Sequence, residues 1–209
     1  MSAGNPAVYL QTVNLLHRRY CRSDGWRRAV YRGMMPWVLR DVDLGANVLE
    51  VGPGPGITTD WLRERVSAIT CVEIDHNLAF SLKRRLDGTN VSVVEGDATQ
   101  MSFPDASFHS AVCFTMLHHV PSCELQDRLL AEARRVLKQG GLFLGSDSTS
   151  SFRFRLFHLF DTCVPIEPKE FGERLAAAGF GDIEIEMRPE YKTFKFRARK
   201  AEDPQARAD

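Results

Sequence analysis

The sequence predicts an α/β fold in which helices cover both faces of a mostly parallel β-sheet. Short apolar runs alternate with helical patterns through the middle of the chain, and strands that are buried on both faces are typically continuous apolar runs. The last third of the chain instead contains two strands with alternating apolar and polar residues, separated only by Pro189 and Glu190. Because so short a connection joins antiparallel neighbours, one strand of the sheet is expected to be reversed.

The order of elements follows from this pattern. Five apolar runs are the predicted core strands: Asn47–Val51, Ile69–Ile74, Val91–Glu95, Ser110–Thr115 and Gly141–Ser146. The predicted helices of the core are Thr58–Ser67, Asn77–Leu86, Glu124–Lys138 (which Gly140 and Gly141 are expected to stop) and Lys169–Gly179, and the alternating strands are Asp182–Arg188 and Tyr191–Lys200. Two further helices, Asn5–Tyr20 and Gly25–Asp41, precede them. We therefore predict a helical cap over residues 1–44, a core over 45–200 and a disordered tail over 201–209.

Composition narrows the class of protein. Lys and Arg number 27 and so do Asp and Glu, so net charge gives no argument for a nucleic-acid or anionic-membrane partner. The five cysteines are scattered and odd in number, which predicts reduced thiols and no zinc or other metal site. No apolar run approaches the roughly 20 residues that span a bilayer, and the N-terminus lacks the layout of a secretory signal. A cytoplasmic protein without an integral membrane segment is expected.

A glycine-rich turn follows the first strand and precedes a helix. Gly52, Gly54 and Gly56 occupy alternate positions, which suits a backbone that takes positive φ or approaches a ligand closely. A dinucleotide fingerprint needs its third glycine at position 57, which is Ile57 here. Glu50 stands two residues before the turn, where its carboxylate disfavours a pyrophosphate and tolerates a ligand that bears an ammonium group.

Two more acids follow the next two strands. Glu73 ends the second strand, where a carboxylate can accept hydrogen bonds from the vicinal hydroxyls of a ribose. Asp97 lies just past the third strand, where it can accept from an exocyclic adenine amine. Together with Glu50 and the glycine turn, these acids predict a pocket for adenine, ribose and a cationic tail.

With these motifs the chain resembles the class I S-adenosylmethionine-dependent methyltransferases from about Gly45 to Ser146, and more weakly through the terminal hairpin. The matching segments are Val48–Gly56, Val72–Asp75, Glu95–Ala98, Phe103–Phe108, Met116–Val120 and Arg135–Gly141. The resemblance implies a Rossmann-like seven-stranded sheet with an antiparallel last strand and S-adenosyl-L-methionine as the cofactor. It also implies cofactor contacts from Glu50, Val51, Gly52, Pro53, Gly54, Gly56, Glu73, Ile74, Asp97, Ala98, Thr115 and Met116.

Methyl transfer from an activated sulfonium needs alignment and the exclusion of water more than it needs a catalytic side chain. If the acceptor is an acidic O–H or N–H group, a general base assists. His118, in the loop after the fourth strand, is then the candidate, and packing or capping is the competing interpretation. We expect the neighbouring His119 to be structural.

The acceptor is predicted to be a small molecule rather than a nucleic acid. Thr115-Met116-Leu117-His118 stands where an Asn/Asp-Pro-Pro-Tyr/Phe motif would indicate methylation of a base amine. The aromatic and basic stretch Phe152–Phe160 is compatible with a pocket lining, with peripheral contact with lipid, or with a helix packed into the core. Tyr9, Tyr20 and Tyr31 are further candidates for acceptor contacts.

Two alternatives stay open at this point. A nicotinamide-dependent oxidoreductase shares the sheet, but Ile57 and Asp97 do not fit a dinucleotide. A protein that binds the cofactor without catalysis would retain the same glycines and acids. Binding of S-adenosylhomocysteine without binding of NADH excludes the first of these.

Overall fold

The computed structural model describes residues 13–201, which form a seven-stranded mixed sheet flanked by helices. The strands are β1 (Asn47–Val51), β2 (Ala68–Glu73), β3 (Val91–Glu95), β4 (Phe108–Phe114), β5 (Leu137–Ser148), β6 (Phe180–Arg188) and β7 (Thr193–Lys200). Their order across the sheet is β3-β2-β1-β4-β5-β7-β6. Only β7 runs antiparallel to its neighbours, β5 and β6. The predicted fold class, including the reversed last strand, is confirmed.

The helices of the core follow the strands in the expected order. They are α4 (Ile57–Leu62), α5 (His76–Arg85), α6 (Cys123–Val136), α7 (Phe152–Phe157) and α8 (Pro168–Ala177). Before the sheet stand α1 (Leu15–Tyr20), α2 (Asp24–Ala29), a π-helical stretch (Val30–Met34) and α3 (Met35–Val38). Part of the predicted helix Asn5–Tyr20, Tyr9 and most of the predicted tail lie outside the described residues.

Two helix ends differ from the prediction. Helix α6 ends at Val136, and β5 begins at once with Leu137, so Gly140 and Gly141 lie inside a strand. Leu137 pairs with Phe108 of β4, and this pairing draws the backbone into the sheet before the glycines are reached. Helix α4 ends at Leu62 rather than Ser67, because the Asn90 side-chain amide donates to the carbonyls of Arg63 and Val66 just beyond it.

The N-terminal helices share a hydrophobic core with one face of the sheet. Val30, Met35 and Trp37 are buried in the same cluster as Val48 and Leu144. The Trp37 indole also donates a hydrogen bond of 2.7 Å to the Glu186 carboxylate on β6. The cap is therefore fixed to the sheet by apolar packing and by a polar contact at its far edge.

The aromatic stretch after β5 does not pack into the core. Phe152 is 81% exposed and Phe160 is 86% exposed, and Leu156 and Leu159 are also exposed. The periodicity of this stretch is helical, but four of its six apolar side chains are exposed and none belongs to a hydrophobic core cluster, so the core interpretation is wrong. Across residues 13–201 we find no helix with the length and apolar character that crossing a bilayer requires.

Candidate active site

A cavity of about 220 Å³ lies beyond the carboxyl ends of β1, β2 and β4, between the sheet and the N-terminal helices. Nine of the twelve predicted cofactor residues line it: Gly52, Pro53, Gly54, Glu73, Ile74, Asp97, Ala98, Thr115 and Met116. Ligands of open α/β sheets bind at this edge. The cavity therefore lies where the glycine turn and the acids predict a ligand.

The glycine turn takes a left-handed backbone at each glycine. Gly52, Gly54 and Gly56 have φ of 63°, 55° and 84°. A Cβ on Gly52 would lie 2.3 Å from Cγ of Met116, whereas a Cβ on Gly54 would meet no protein atom within 4 Å. Gly52 is thus required by close packing, while the open space beside Gly54 leaves room for a ligand against the backbone.

Glu73 joins the glycine turn to the end of β2. Its carboxylate accepts from the Gly54 amide at 2.9 Å and from the Asp75 amide at 3.0 Å. Burial raises the pKa of Glu73, and these backbone hydrogen bonds partly oppose that effect. Asp97, across the cavity, accepts from the Thr99 amide at 2.8 Å. Both carboxylates are held in position by the backbone and keep further lone pairs for a ligand.

Glu50 is not at the cavity, contrary to the prediction. It is buried, and its two oxygens accept from the Thr58 and Thr59 hydroxyls at 2.5 and 2.6 Å. Burial raises the pKa of Glu50, and the threonine hydrogen bonds counteract part of the rise. Val51 and Gly56 do not line the cavity either, because Val51 is in the core and Gly56 packs against Leu82 and Arg85 of α5.

The end of β4 forms another part of the cavity wall. Thr115 has φ of 49°, and its amide donates to the Ser146 carbonyl at 2.7 Å. This turn places the Met116 side chain over Gly52. Thr115 and Met116 therefore lie beside the glycine turn, as the resemblance implies.

Helices α1 and α2 cover the cavity and contribute residues that the sequence analysis did not single out. His17, Arg18, Cys21, Arg22 and Trp26 line it. Arg18 also lies 3.7 Å from the Asp75 carboxylate. His17 with Cys21, and Arg18 with Arg22, are spaced four residues apart and so share a helix face. That spacing was the signal that could have identified them.

The two neighbouring histidines are placed the opposite way round from the expectation. His119 lines the cavity, whereas His118 does not. His118 lies behind it, with Nδ1 2.5 Å from Asp147 and Nε2 3.2 Å from Nε2 of His158. Tyr20, Tyr31 and residues 150–168 do not line the cavity. This last segment instead supports α1, since Asn14 donates to the Phe157 carbonyl at 2.9 Å.

The comparisons with known proteins agree with this fold. Residues 49–145 match the family described as "Methyltransferase domain". A probable ribosomal RNA small subunit methyltransferase A of Thermococcus onnurineus is 40% identical over 58 residues, 28% of this chain and 21% of that protein. A phosphatidylethanolamine N-methyltransferase of Cereibacter sphaeroides is 30% identical over 101 residues, 46% of this chain and 48% of that protein. The chain thus spans between about a fifth and a half of these curated relatives.

Solved structures extend the likeness of the fold to nearly the whole chain. A SAM-dependent methyltransferase of Aquifex aeolicus superposes with a TM-score of 0.71 at 19% identity, covering 91% of this chain and all of the other. The strand order and the position of the cavity match the Rossmann-like fold of these S-adenosylmethionine-dependent methyltransferases. Residues 49–145 are thus similar to a methyltransferase domain, and the solved structures share the fold of nearly the whole chain.

Proposed function

We propose that the chain is an S-adenosyl-L-methionine-dependent methyltransferase that transfers the methyl group to a small-molecule acceptor, which binds between the glycine turn and helices α1 and α2. The cover of the cavity carries this proposal. His17, Cys21 and Trp26 lie over the same cavity as Gly52 and Gly54, within a volume of about 220 Å³. A covered cavity of this kind suits a small ligand better than a polymer. A location in the cytoplasm stays a prediction.

Within the cavity we assign the cofactor contacts by chemistry. Glu73 would accept hydrogen bonds from the ribose hydroxyls, and Asp97 from the adenine amine. The backbone at Gly52 and Gly54 would bind the methionine part, where a side chain on Gly54 would fill the open space. The buried Glu50 would act on that part only through the turn and Thr58, which also lines the cavity.

Catalysis by positioning fits these residues. The cofactor supplies an activated methyl group, and the chain has to align the acceptor with it and exclude water. We assign no general base to His118, because its ring is buried behind the cavity against Asp147 and His158. His17 and His119 are the imidazoles at the cavity wall.

The proposal is tested with labelled cofactor and a cell extract separated into small-molecule, lipid and RNA fractions. We expect the chain to label the small-molecule fraction and its Gly54→Ala variant to label it far less. Label in the RNA fraction would overturn the small-molecule assignment in favour of an activity like that of the ribosomal RNA methyltransferases. Calorimetry should show S-adenosylhomocysteine binding in the micromolar range (order of magnitude) and no binding of NADH.

We propose in addition that the surface formed by α1 and α7 contacts lipid peripherally. Leu15, Leu16, Phe152 and Phe160 are each more than three-quarters exposed. Tyr20 and Phe157 are in contact, with ring centroids 5.4 Å apart, so the two helices form one surface. Arg18, Arg19, Arg153 and Arg155, on the same two helices, are also exposed. Exposed apolar side chains together with arginines suit an anionic bilayer surface.

Vesicle sedimentation tests this contact. Vesicles rich in phosphatidylglycerol should bind the chain, and the double variant Phe152→Ser, Phe160→Ser should bind far less. Phe80→Ser is the matched control, because Phe80 is an exposed phenylalanine on α5, outside this surface. Equal binding by all three proteins would refute the assignment of the surface.

A further inference from the structure

Four of the six histidines of the chain converge behind the cover of the cavity. His17 comes from α1, His118 and His119 from the turn after β4, and His158 from the end of α7. The ring centroids of His118 and His119 are 4.1 Å apart, and those of His17 and His158 are 4.8 Å apart. All four side chains are buried. We call this group the histidine cluster.

Each ring of the histidine cluster uses the same nitrogen as a donor. Nδ1 of His17 lies 2.9 Å from an Asp161 oxygen, and Nδ1 of His118 lies 2.5 Å from an Asp147 oxygen. Nδ1 of His119 lies 3.0 Å from the Thr162 carbonyl oxygen, and Nδ1 of His158 lies 2.8 Å from the Phe154 carbonyl oxygen. Because oxygens of these groups only accept, every Nδ1 carries the proton. In the neutral rings, each Nε2 is therefore an unprotonated lone pair.

Two of these lone pairs face each other. Nε2 of His118 is 3.2 Å from Nε2 of His158, a contact that two acceptors cannot form without a cation between them. Nε2 of His17 and of His119 has no hydrogen-bond partner among residues 13–201.

We infer that the histidine cluster is a binding site for a divalent late transition-metal ion such as Zn²⁺. One ring nitrogen from each of His17, His119 and His158 lies within 4.8 Å of the others, and Nε2 of His118 lies 3.2 Å from Nε2 of His158. The separation between His118 and His158 is close to the roughly 3.3 Å expected for adjacent ligands at zinc–nitrogen distances of about 2.0–2.1 Å. Nδ1–H groups bonded to carboxylates or carbonyls are the usual support of metal-bound imidazoles.

The ion would act as a clamp on the cover of the cavity. Helix α1 has only six residues, and isolated helices of that length are marginal in water. Metal ligation would tie it to the turn after β4 and to α7, segments more than 100 residues away. Since His17 and His119 also line the cavity, the clamp would strengthen cofactor binding, a consequence that rests on the proposed function.

The sequence analysis predicted no metal because it searched for closely spaced cysteines. The ligands here come from three distant segments, and only the fold brings them together. Apart from the adjacent pair His118 and His119, no short motif connects them.

The test uses the full chain, stripped with a chelator and titrated with Zn²⁺ against a chromophoric competitor. We expect one ion per chain, and with Co²⁺ the visible absorption of a tetrahedral site. His158→Gln should weaken Zn²⁺ binding by about 100-fold, and Asp161→Asn, which removes the carboxylate that accepts from His17 and from the Asn14 amide, by about 10–100-fold. His76→Gln is the matched control, because His76 is exposed on α5, and it should bind as the native chain does.

Two results would overturn the site: no Zn²⁺ or Co²⁺ bound by the folded, stripped chain, or equal binding by the His158→Gln and His76→Gln variants. In either case a proton between His118 and His158 is the explanation of their contact. Circular dichroism of each variant establishes that it is folded. Calorimetry with S-adenosylhomocysteine on the same samples distinguishes the metal site from the proposed function. A chain that binds the metal but not S-adenosylhomocysteine would contradict the proposed function and leave the metal site standing.

Discussion

The Glu73 carboxylate accepts a hydrogen bond of 2.9 Å from the amide of Gly54. This contact fixes the turn after β1 to the end of β2 before any ligand binds. The same side chain accepts from Asp75, so both carboxylate oxygens are oriented by the backbone. If Glu73 receives the ribose hydroxyls, as we propose, it is thus positioned in advance, which reduces the entropy lost on binding.

Replacement of Glu73 by Gln tests this double role. Glutamine has the same size, but only one of its two terminal atoms accepts, so one of the two amides loses its partner. Hydrogen bonds to a charged group contribute about 1.5–3 kcal/mol, which corresponds to a loss of affinity for S-adenosylhomocysteine of about 10–100-fold. Isothermal titration calorimetry measures this affinity.

The matched control is Glu95→Gln. Glu95 pairs with Glu73 in the register of β2 and β3, but it is exposed and bonded to His76. Its variant should bind S-adenosylhomocysteine as the native chain does. Equal losses in both variants would mean that the charge of this edge of the sheet, rather than the contact with Gly54, determines affinity.

A second prediction distinguishes the loss of stability caused by a strained backbone from the loss of affinity caused by filling the space of a ligand. Gly54 and Gly88 have φ of 55° and 73°, and a Cβ on either would meet no protein atom within 4 Å. Gly54→Ala and Gly88→Ala should therefore each lower the free energy of unfolding by about 1–2 kcal/mol, the cost of a left-handed alanine. Only Gly54→Ala should also weaken S-adenosylhomocysteine binding, by more than about 10-fold, because only Gly54 lines the cavity. Denaturant melts and calorimetry measure the two effects, and parallel losses of affinity would contradict the assignment.

Much of the sheet could be predicted because its signals are local. The bounds of β1 and β3 match the predicted runs, and Glu73 and Asp97 reach the cavity because the carboxyl ends of parallel strands share one edge. Glu50 also lies near the carboxyl end of its strand, but the hydroxyls of Thr58 and Thr59 donate hydrogen bonds to its carboxylate. Whether an acid faces a ligand or a hydroxyl of its own chain depends on a contact that strand periodicity does not contain.

The cover of the site was harder to predict for a related reason. The pattern of Phe152–Phe160 indicates a helix but not which surface the helix meets, and here its phenylalanines 152 and 160 remain exposed. His158 on the same stretch turns inward, to a cluster assembled from three distant segments. Contacts between residues so far apart in the sequence depend on the tertiary fold, so composition and spacing could not identify them.

The last prediction concerns the buried Glu50. Burial is the largest influence on this carboxyl and raises its pKa above the ordinary 4.5, although hydrogen bonds from Thr58 and Thr59 oppose the rise. The folded state therefore holds the Glu50 proton more tightly than the unfolded state does. By linkage, this stabilising contribution is fully present below about pH 4.5 and is lost as the pH rises through the folded-state pKa.

Replacing Glu50 by Gln should remove that pH dependence. Glutamine stays neutral, and the Thr58 and Thr59 hydroxyls can donate to its oxygen and accept from its amide. The Tm of Glu50→Gln relative to the native chain should therefore increase from pH 4 to pH 8, by about 2–4 °C for each kcal/mol of charge burial removed. Calorimetric melts across that range, without cofactor, measure it, with Glu64→Gln as the control because Glu64 is exposed next to Arg65. A relative Tm that falls with pH would show that the two threonines stabilise the Glu50 carboxylate by more than its burial costs.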